Sequence, residues 1–244
     1  MRELIIDLDA IATNLQTMRG KVSGAMVMAI VKADAYGHGM VPVAKKLEAA
    51  GAEYLGVADI SEALELRDAG IDLPILAWLH DPRDTFVRAV AAGIEIGAAN
   101  TEQLARIAAA AQHLGRIARV HLKIDTGLGR NGATQAEWPD VLKAAHSYVA
   151  EGFMQVVAIF SHLSCTSEAD DLKQIARFEK ACEQAKSAGI DFELRHLVAS
   201  DGLLRYPQAH YEMVRIGVAL YGLDPFSGNR GAEYGLTPAM TATA

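Results

Sequence analysis

The stretch Tyr54-Leu-Gly-Val-Ala-Asp-Ile-Ser-Glu-Ala-Leu-Glu-Leu-Arg-Asp-Ala-Gly-Ile-Asp-Leu-Pro-Ile-Leu-Ala-Trp78 holds one complete structural unit. Tyr54–Ala58 is a short apolar run, the pattern of a strand buried on both faces. In Asp59-Ile-Ser-Glu62 the first residue can accept a backbone N–H at a helix start. The fourth can reach back to the chain at Asp59, which makes a capping box. Gly70 stands where that helix must stop, because a left-handed helix terminus is free of Cβ conflict when the residue is glycine. Pro74–Trp78 is the next apolar run.

The unit recurs in both directions. Gly51, Gly93, Gly115, Gly152 and Gly189 each close a segment of helical period. Asn100-Thr-Glu-Gln103 opens another helix in the same way, with Leu104, Ile107, Ala108 and Ala111 on one face. Eight strands are predicted: Met26–Lys32, Tyr54–Ala58, Pro74–Trp78, Ile94–Gly97, Val120–Asp125, Val156–His162, Leu194–Ser200 and Met213–Val218. Alternation of strand and helix implies a parallel sheet with crossover helices. Eight such units in about 200 residues predict an α/β chain closed into a (β/α)8 TIM barrel. An open, doubly wound sheet is the competing arrangement. Two strand-like runs are left over, Leu4–Leu8 and Leu236–Ala244, and neither is needed to close the barrel.

The remaining bulk features exclude more than they specify. Of 244 residues, 51% are hydrophobic and 22% charged, so the chain can build an ordinary globular core. The net charge of −7 argues against nucleic acid or an anionic membrane as partner. The N-terminal run carries acids within a short apolar stretch, unlike a signal peptide or a membrane span. Cys165 and Cys182 have no metal-like spacing and suggest a reducing compartment, the cytoplasm. No helical histidine pair suggests a metal site, and the G-x-S-x-G elbow is absent.

In a barrel of this kind chemistry belongs at the carboxyl ends of the strands. Met28, Ile30 and Lys32 share a face, which makes Lys32 a candidate inward lysine. Desolvation lowers a lysine's pKa and suits it to attack a carbonyl carbon. The bland alternative is a lysine that reaches the rim or pairs with Asp34. Lys123 and Asp125 share a face of the fifth strand. Gly127, Gly129 and Gly132 then spell G-x-G-x-x-G. A dinucleotide loop would want an acid at the end of the next strand, whereas Glu151 precedes it. The glycines are better read as a tight turn presenting Arg130 to the barrel mouth. The sixth strand ends at His162, with Ser164 after it, and His196 and Ser200 share a face of the seventh. Gly217 and Val218 end the eighth, where barrels often hold phosphate. A lone histidine in such a place is as often a hydrogen-bonded core residue as a functional one. The residues alone thus give a cationic barrel mouth suited to an anionic, phosphorylated ligand.

The segment Ala29-Ile-Val-Lys-Ala-Asp-Ala-Tyr-Gly-His-Gly39 closely resembles the pyridoxal 5′-phosphate (PLP) attachment motif of alanine racemases. Val120-His-Leu-Lys-Ile-Asp-Thr-Gly-Leu-Gly-Arg-Asn-Gly132, Phe160-Ser-His-Leu163 and Val214-Arg-Ile-Gly-Val-Ala-Leu-Tyr-Gly222 resemble three further motifs, all in family order. The resemblance covers essentially the whole chain and implies roles at the matching positions. Lys32 would attach PLP and act as one catalytic base. Tyr36, Ser200, Gly217 and Val218 would bind its phosphate, and Arg215 its ring nitrogen. Arg130 would lie near the substrate carboxylate, Lys123 would be the lysine carbamylated in many members, and His162 would sit beside the ring and join Arg215. His196 would support. The implied reaction interconverts L- and D-alanine, supplying D-alanine for peptidoglycan, in a homodimer.

In this family the second base is a tyrosine from a β-rich second domain of the partner subunit. The division implied is an N-terminal strand in residues 1–10, the PLP barrel in 11–233 and the start of the β domain in 234–244. The fragment by itself is then expected to turn over poorly. One departure stands out: the family usually has asparagine before the phosphate-binding serine, and here it is Ala199. A racemase for serine or another amino acid, and a non-catalytic PLP-homeostasis barrel, are the competing functions.

Overall fold

The computed structural model describes every residue except Met1, Ser23, Ser227, Asn229, Arg230 and Ala244. Two short strands, β1 (Glu3–Ile6) and β10 (Met240–Thr243), pair antiparallel with Ile6 opposite Met240. Between them lie β2 (Met26–Ile30), β3 (Tyr54–Val57), β4 (Ile75–Ala77), β5 (Glu95–Ala98), β6 (Ala118–Lys123), β7 (Met154–Phe160), β8 (Leu194–His196) and β9 (Met213–Ile216). These eight are parallel, and each bonds to its chain neighbours from β2 to β8. The last, β9, bonds to β2, the first. The ring completes between β8 and β9, where the Arg215 N–H donates to the Val198 carbonyl at 3.1 Å. This is a TIM barrel, and the open-sheet alternative falls because first and last strands are partners.

The helices are α1 (Leu8–Arg19), α2 (Lys32–Gly37), α3 (Met40–Ala49), α4 (Ile60–Asp68), α5 (Val87–Ala91), α6 (Thr101–Leu114), α7 (Trp138–Ala150), α8 (Glu168–Ser187) and α9 (Ser200–Arg205). Their starts follow the sequence signals. Asp59 and Glu62 form the full capping box of α4. Asn100 accepts from the Gln103 N–H, but Gln103 reaches one residue further back, to the Ala99 N–H at 2.7 Å. The face Leu104, Ile107, Ala108 and Ala111 is buried. All six unit-closing glycines adopt positive φ, from 60° at Gly115 to 88° at Gly51.

Two apolar layers result. A large one lies between strands and helices. A small one fills the barrel interior with Met28, Ile30, Tyr54, Leu76, Leu194 and Met213 among its members. The interior is not apolar throughout, since Glu95, His121, Lys123, His196 and Arg215 are also buried.

The structure corrects the predicted strand ends. Most of the barrel strands stop before the predicted residue, and Lys32, Asp125, His162, Ser200, Gly217 and Val218 stand beyond the strands. Of these residues Lys32, Ser200 and Val218 open short helical turns, and the others stand in the loops between. A residue inside a ladder spends its backbone N–H and C=O on its neighbours, whereas one beyond it can turn its groups to a ligand. Lys32 therefore does not continue the strand face of Met28 and Ile30; it opens α2. At the N-terminus the strand ends at Ile6, and residues 8–10 already belong to α1. Leu236 and Ala239 are buried in the same layer as the barrel helices. Met1 and Ala244, the outer limits of the two terminal segments, lie outside the described residues.

Candidate active site

The first loop of the barrel has an unusual backbone. Ala33, Asp34, Ala35 and Tyr36 all have φ between 52° and 55°, a left-handed turn made without glycine. L-residues resist this conformation by about 1–2 kcal/mol each, so the surroundings must impose it. The Ala33 N–H donates to Glu62 Oε1 at 2.6 Å, and the Met40 N–H to Asp34 Oδ1 at 2.6 Å. His38 Nδ1–H donates to the Ala35 carbonyl at 2.9 Å. The turn carries Tyr36 back over the barrel mouth, where its ring lies 5.0 Å from Tyr221.

Lys32, Tyr36, Lys123, Arg130, His162 and Arg215 line one cavity at that mouth. Ser200, Gly217 and Val218 line it too, together with Ala199 and Asp201. All the residues singled out from sequence for cofactor or catalysis are thereby brought together. The Lys32 amine stands 5.8 Å from the Tyr36 ring centroid and 5.9 Å from that of Trp78. Among the described residues no carboxylate pairs with Lys32, Lys123 or Arg130. Burial, and then the Arg130 charge, lower the Lys32 pKa. Burial and the Arg215 and Arg130 charges bring Lys123 to about 8.

Arg215 is held from several sides. Nη1–H groups donate to His196 Nδ1 at 2.8 Å and to the His196 carbonyl at 3.0 Å. Nη2–H groups face the Ser161 and Leu197 carbonyls, both at 2.8 Å, and His162 Nδ1 at 3.1 Å. These protein acceptors occupy both terminal nitrogens and leave Nε–H as the donor for a ligand. His162 is driven down to about 2 by burial and by the Arg215 and Arg130 charges, so it is neutral. On the other side of the mouth the Gly217 N–H donates to Ser200 Oγ at 3.1 Å. A Cβ at Gly217 would meet Tyr36 Oη at 2.9 Å, so the space beside this amide exists because the residue is glycine.

The glycine loop behaves as the turn reading predicts. Gly127, Gly129 and Gly132 have φ of 140°, 72° and 131°, and a Cβ at Gly132 would strike the backbone of Asp125 at 2.6 Å. Asp125 does not point along a strand face with Lys123. Its carboxylate accepts the Gly127 and Gly129 N–H groups and so ties the loop that presents Arg130.

Residues 6–225 match the family model for the N-terminal domain of alanine racemase. The chain belongs to this alanine racemase family. The alanine racemase of Frankia casuarinae is 44% identical over 243 residues, covering 98% of this chain and 63% of that protein. That of Salinispora tropica is 45% identical over 245 residues, covering 99% and 65%. The chain therefore spans just under two thirds of the length of these curated relatives. The crystal structure of alanine racemase from Streptomyces lavendulae superposes with a TM-score of 0.95 at 39% identity, over 99% of this chain and 64% of that one. The Bartonella henselae alanine racemase, solved with covalently bound PLP, shares the fold at a TM-score of 0.85 and 24% identity.

The barrel also contains functional candidates that sequence reasoning missed. His121 and Glu95 are buried in the barrel interior and connect to Arg215 through His196. The signal was available in part, since His121 alternates with Lys123 along β6. No group of three or more metal-binding side chains occurs among the described residues, and no helix is long and apolar enough to cross a membrane.

The cavity suits PLP chemically. Four cationic side chains, Lys32, Lys123, Arg130 and Arg215, converge without an ion-pair partner among the described residues. An anion with one face of hydrogen-bond acceptors satisfies them. A spare guanidinium N–H, a glycine-shaped gap and an amine lowered by burial complete the match.

Proposed function

We propose that this chain is the PLP-binding part of an enzyme that interconverts L- and D-alanine. The observation that carries the reading is Lys32. Its amine is half-buried between two aromatic rings with no carboxylate partner among the described residues, in the cavity that also holds the other three cations.

Lys32 would hold PLP covalently, and Tyr36, Ser200, Gly217 and Val218 would hold its phosphate. Bound PLP withdraws electrons from the substrate and acidifies its Cα–H. Arg215 would face a ring nitrogen with an N–H that it does not readily surrender, so it would lend a hydrogen bond and no proton. The Lys32 amine, its basicity moderated by burial, would take or return the Cα proton on one face. Arg130 orients the substrate carboxylate. His162, neutral beside Arg215, accepts from its Nη2–H and braces it. Lys123, brought to about 8, is basic enough to be carbamylated and accessible as the neutral amine. As a carbamate it would face Arg130 with the opposite charge.

The second face needs a second base, which we assign to a tyrosine of a following β domain in a homodimer, with β1 and β10 as the strands that lead into it. By that reading these 244 residues bind PLP but turn over poorly alone. The enzyme would act in the cytoplasm and supply D-alanine for peptidoglycan. Ala199 lines the cavity in place of the family's usual asparagine, which favours serine as the second substrate to try. The test is chiral chromatography of alanine incubated with the full-length enzyme and PLP, with Lys32→Ala beside it. Conversion by the parent and none by the variant is expected. A parent that converts serine and leaves alanine untouched overturns the substrate, and an alanine variant with full turnover overturns the role of Lys32.

A further inference from the structure

A continuous line of polar side chains runs through the barrel interior to Arg215. Arg215 Nη1 is 2.8 Å from His196 Nδ1. His196 Nε2 is 2.9 Å from His121 Nδ1. His121 Nε2 is 2.6 Å from Glu95 Oε2. The other oxygen of Glu95 accepts from Arg119 Nε–H at 2.7 Å, and Arg119 also donates to Gln155 at 2.9 Å. Glu95, His121 and His196 are between 0% and 2% exposed, so water does not interrupt the line. The four members come from β5, β6, β8 and β9. The His196 ring is stacked on Phe160 at 4.7 Å and 13°, which fixes its plane.

The chemistry of the ends determines where each proton sits. A guanidinium only donates, so His196 Nδ1 must be an acceptor with its lone pair toward Arg215. Burial and the neighbouring Arg215 charge hold His196 far below its ordinary pKa, so the ring is neutral and its single proton is on Nε2. That Nε2–H donates to His121 Nδ1, which must therefore accept. The His121 proton is then on Nε2 and donates to a Glu95 carboxylate. Burial works against that charge, but hydrogen bonds from His121 and Arg119 outweigh it and hold the carboxyl below its usual range. The opposite arrangement fails. An imidazolium at His121 would donate from Nδ1, force the His196 proton to Nδ1, and set two donors face to face at Arg215.

We propose that Glu95 and His121 are positioning residues for Arg215: through His196 they fix both imidazole tautomers and hold the guanidinium in one orientation as a cation facing the cofactor cavity. This rests on the PLP reading for its consequence, since a rotated Arg215 would no longer offer Nε–H to a ring nitrogen. The proton order itself depends on no ligand. An ordered chain of this sort is worth more than its pairs taken singly, because each donor is polarised by the acceptor beyond it.

The test is nitrogen NMR of the 244-residue chain, without PLP, labelled in its histidine side chains. His121 and His196, assigned by single substitution, are expected as neutral Nε2–H tautomers. A Glu95→Gln variant keeps an acceptor oxygen and removes the charge. Its expected signature is a shift of the His121 Nε2–H resonance and, beyond it, of His196 Nε2–H, which does not touch Glu95. An imidazolium at His121, an Nδ1–H at His196, or an unmoved His196 resonance in a folded variant overturns the proposal. If the variant does not fold, the tautomers of the parent decide. In the full-length enzyme Glu95→Gln is expected to lower kcat roughly tenfold, the difference between a charge-assisted and a neutral hydrogen bond, with KM little changed. An unchanged kcat also overturns it. Absence of racemisation in the parent would sink the PLP reading while leaving the tautomer result standing.

Discussion

The Glu62 carboxylate that completes the cap of α4 also accepts, at 2.6 Å, the backbone N–H of Ala33, the residue after Lys32. A helix cap and the turn that begins at Lys32 are thus joined by one side chain. Its second oxygen holds the Ala58 N–H at 2.8 Å. Glu62→Ala should cost about 1 kcal/mol as a lost cap and, in addition, loosen the left-handed turn that follows Lys32. PLP affinity should fall several-fold more than thermal stability alone explains, and Glu62→Gln should recover part of it. Titration of PLP against both variants checks this; equal affinities for parent and Glu62→Ala would separate the cap from the site.

Gly217→Ala places a methyl group 2.9 Å from Tyr36 Oη, closer than real contacts allow. The phenol must move, and the gap beside the Gly217 N–H fills. Overpacking of this kind costs about 1–3 kcal/mol, which, felt at the site, corresponds to a loss of roughly 5- to 150-fold in PLP affinity. The barrel fold should survive, as circular dichroism would report. Phosphate-free pyridoxal, which does not need the cradle, should lose less.

Carbamylation of Lys123 requires its neutral amine to attack carbon dioxide and release a proton. Because burial beside Arg215 and Arg130 brings the group to about 8, the neutral fraction grows as pH rises through that value. Carbon NMR in labelled bicarbonate should show a carbamate signal that grows across this range and is missing in Lys123→Ala. A signal that declines with rising pH, or persists in the variant, contradicts the assignment.

Asn14 is fully buried and ties α1 to two distant segments. Its Nδ2–H groups donate to the Leu220 carbonyl at 3.0 Å and the Thr237 carbonyl at 2.8 Å, and its Oδ1 accepts the Thr237 N–H at 2.8 Å. Asn14→Leu strands these backbone groups without partners, at about 3 kcal/mol in total. For a chain of this size that lowers Tm by roughly 6–12 °C. Calorimetry is the measurement, and PLP binding well below the transition should be nearly unaffected.

Local signals carried most of the architecture from sequence to structure. Asp59, Asn100 and the unit-closing glycines announce helix ends because capping is decided within four or five residues. Much of the cavity's lining, Ser200 and Trp78 apart, was legible through the four motifs. The strand ends were not, because Lys32, His162 and Ser200 are apolar-run neighbours in sequence and leave the ladder only under tertiary constraint. Ala33 to Tyr36 give no hint of their left-handed turn, whose cause is Glu62, His38 and Asp34 acting together. Nor could Glu95 and His121 be matched to His196. Those contacts depend on the register of strands far apart in the chain, which no single strand's pattern encodes.

The terminal ribbon has a consequence for biosynthesis. Thr243 and Glu3 are hydrogen-bonded at a separation of 240 positions, and Leu4 and Ile5 remain more than half exposed even after pairing. Within this stretch Glu3–Ile6 leaves the ribosome first, and its mate leaves last. Until β10 has been made it is an unprotected sticky edge, the kind that recruits foreign strands and calls for chaperone attention. The Asp7 N–H bond to the Ala239 carbonyl, 2.8 Å long, likewise needs both ends of the stretch. The clasp therefore shuts only after the barrel segments between its two strands have been made, and β1 waits for its partner until then.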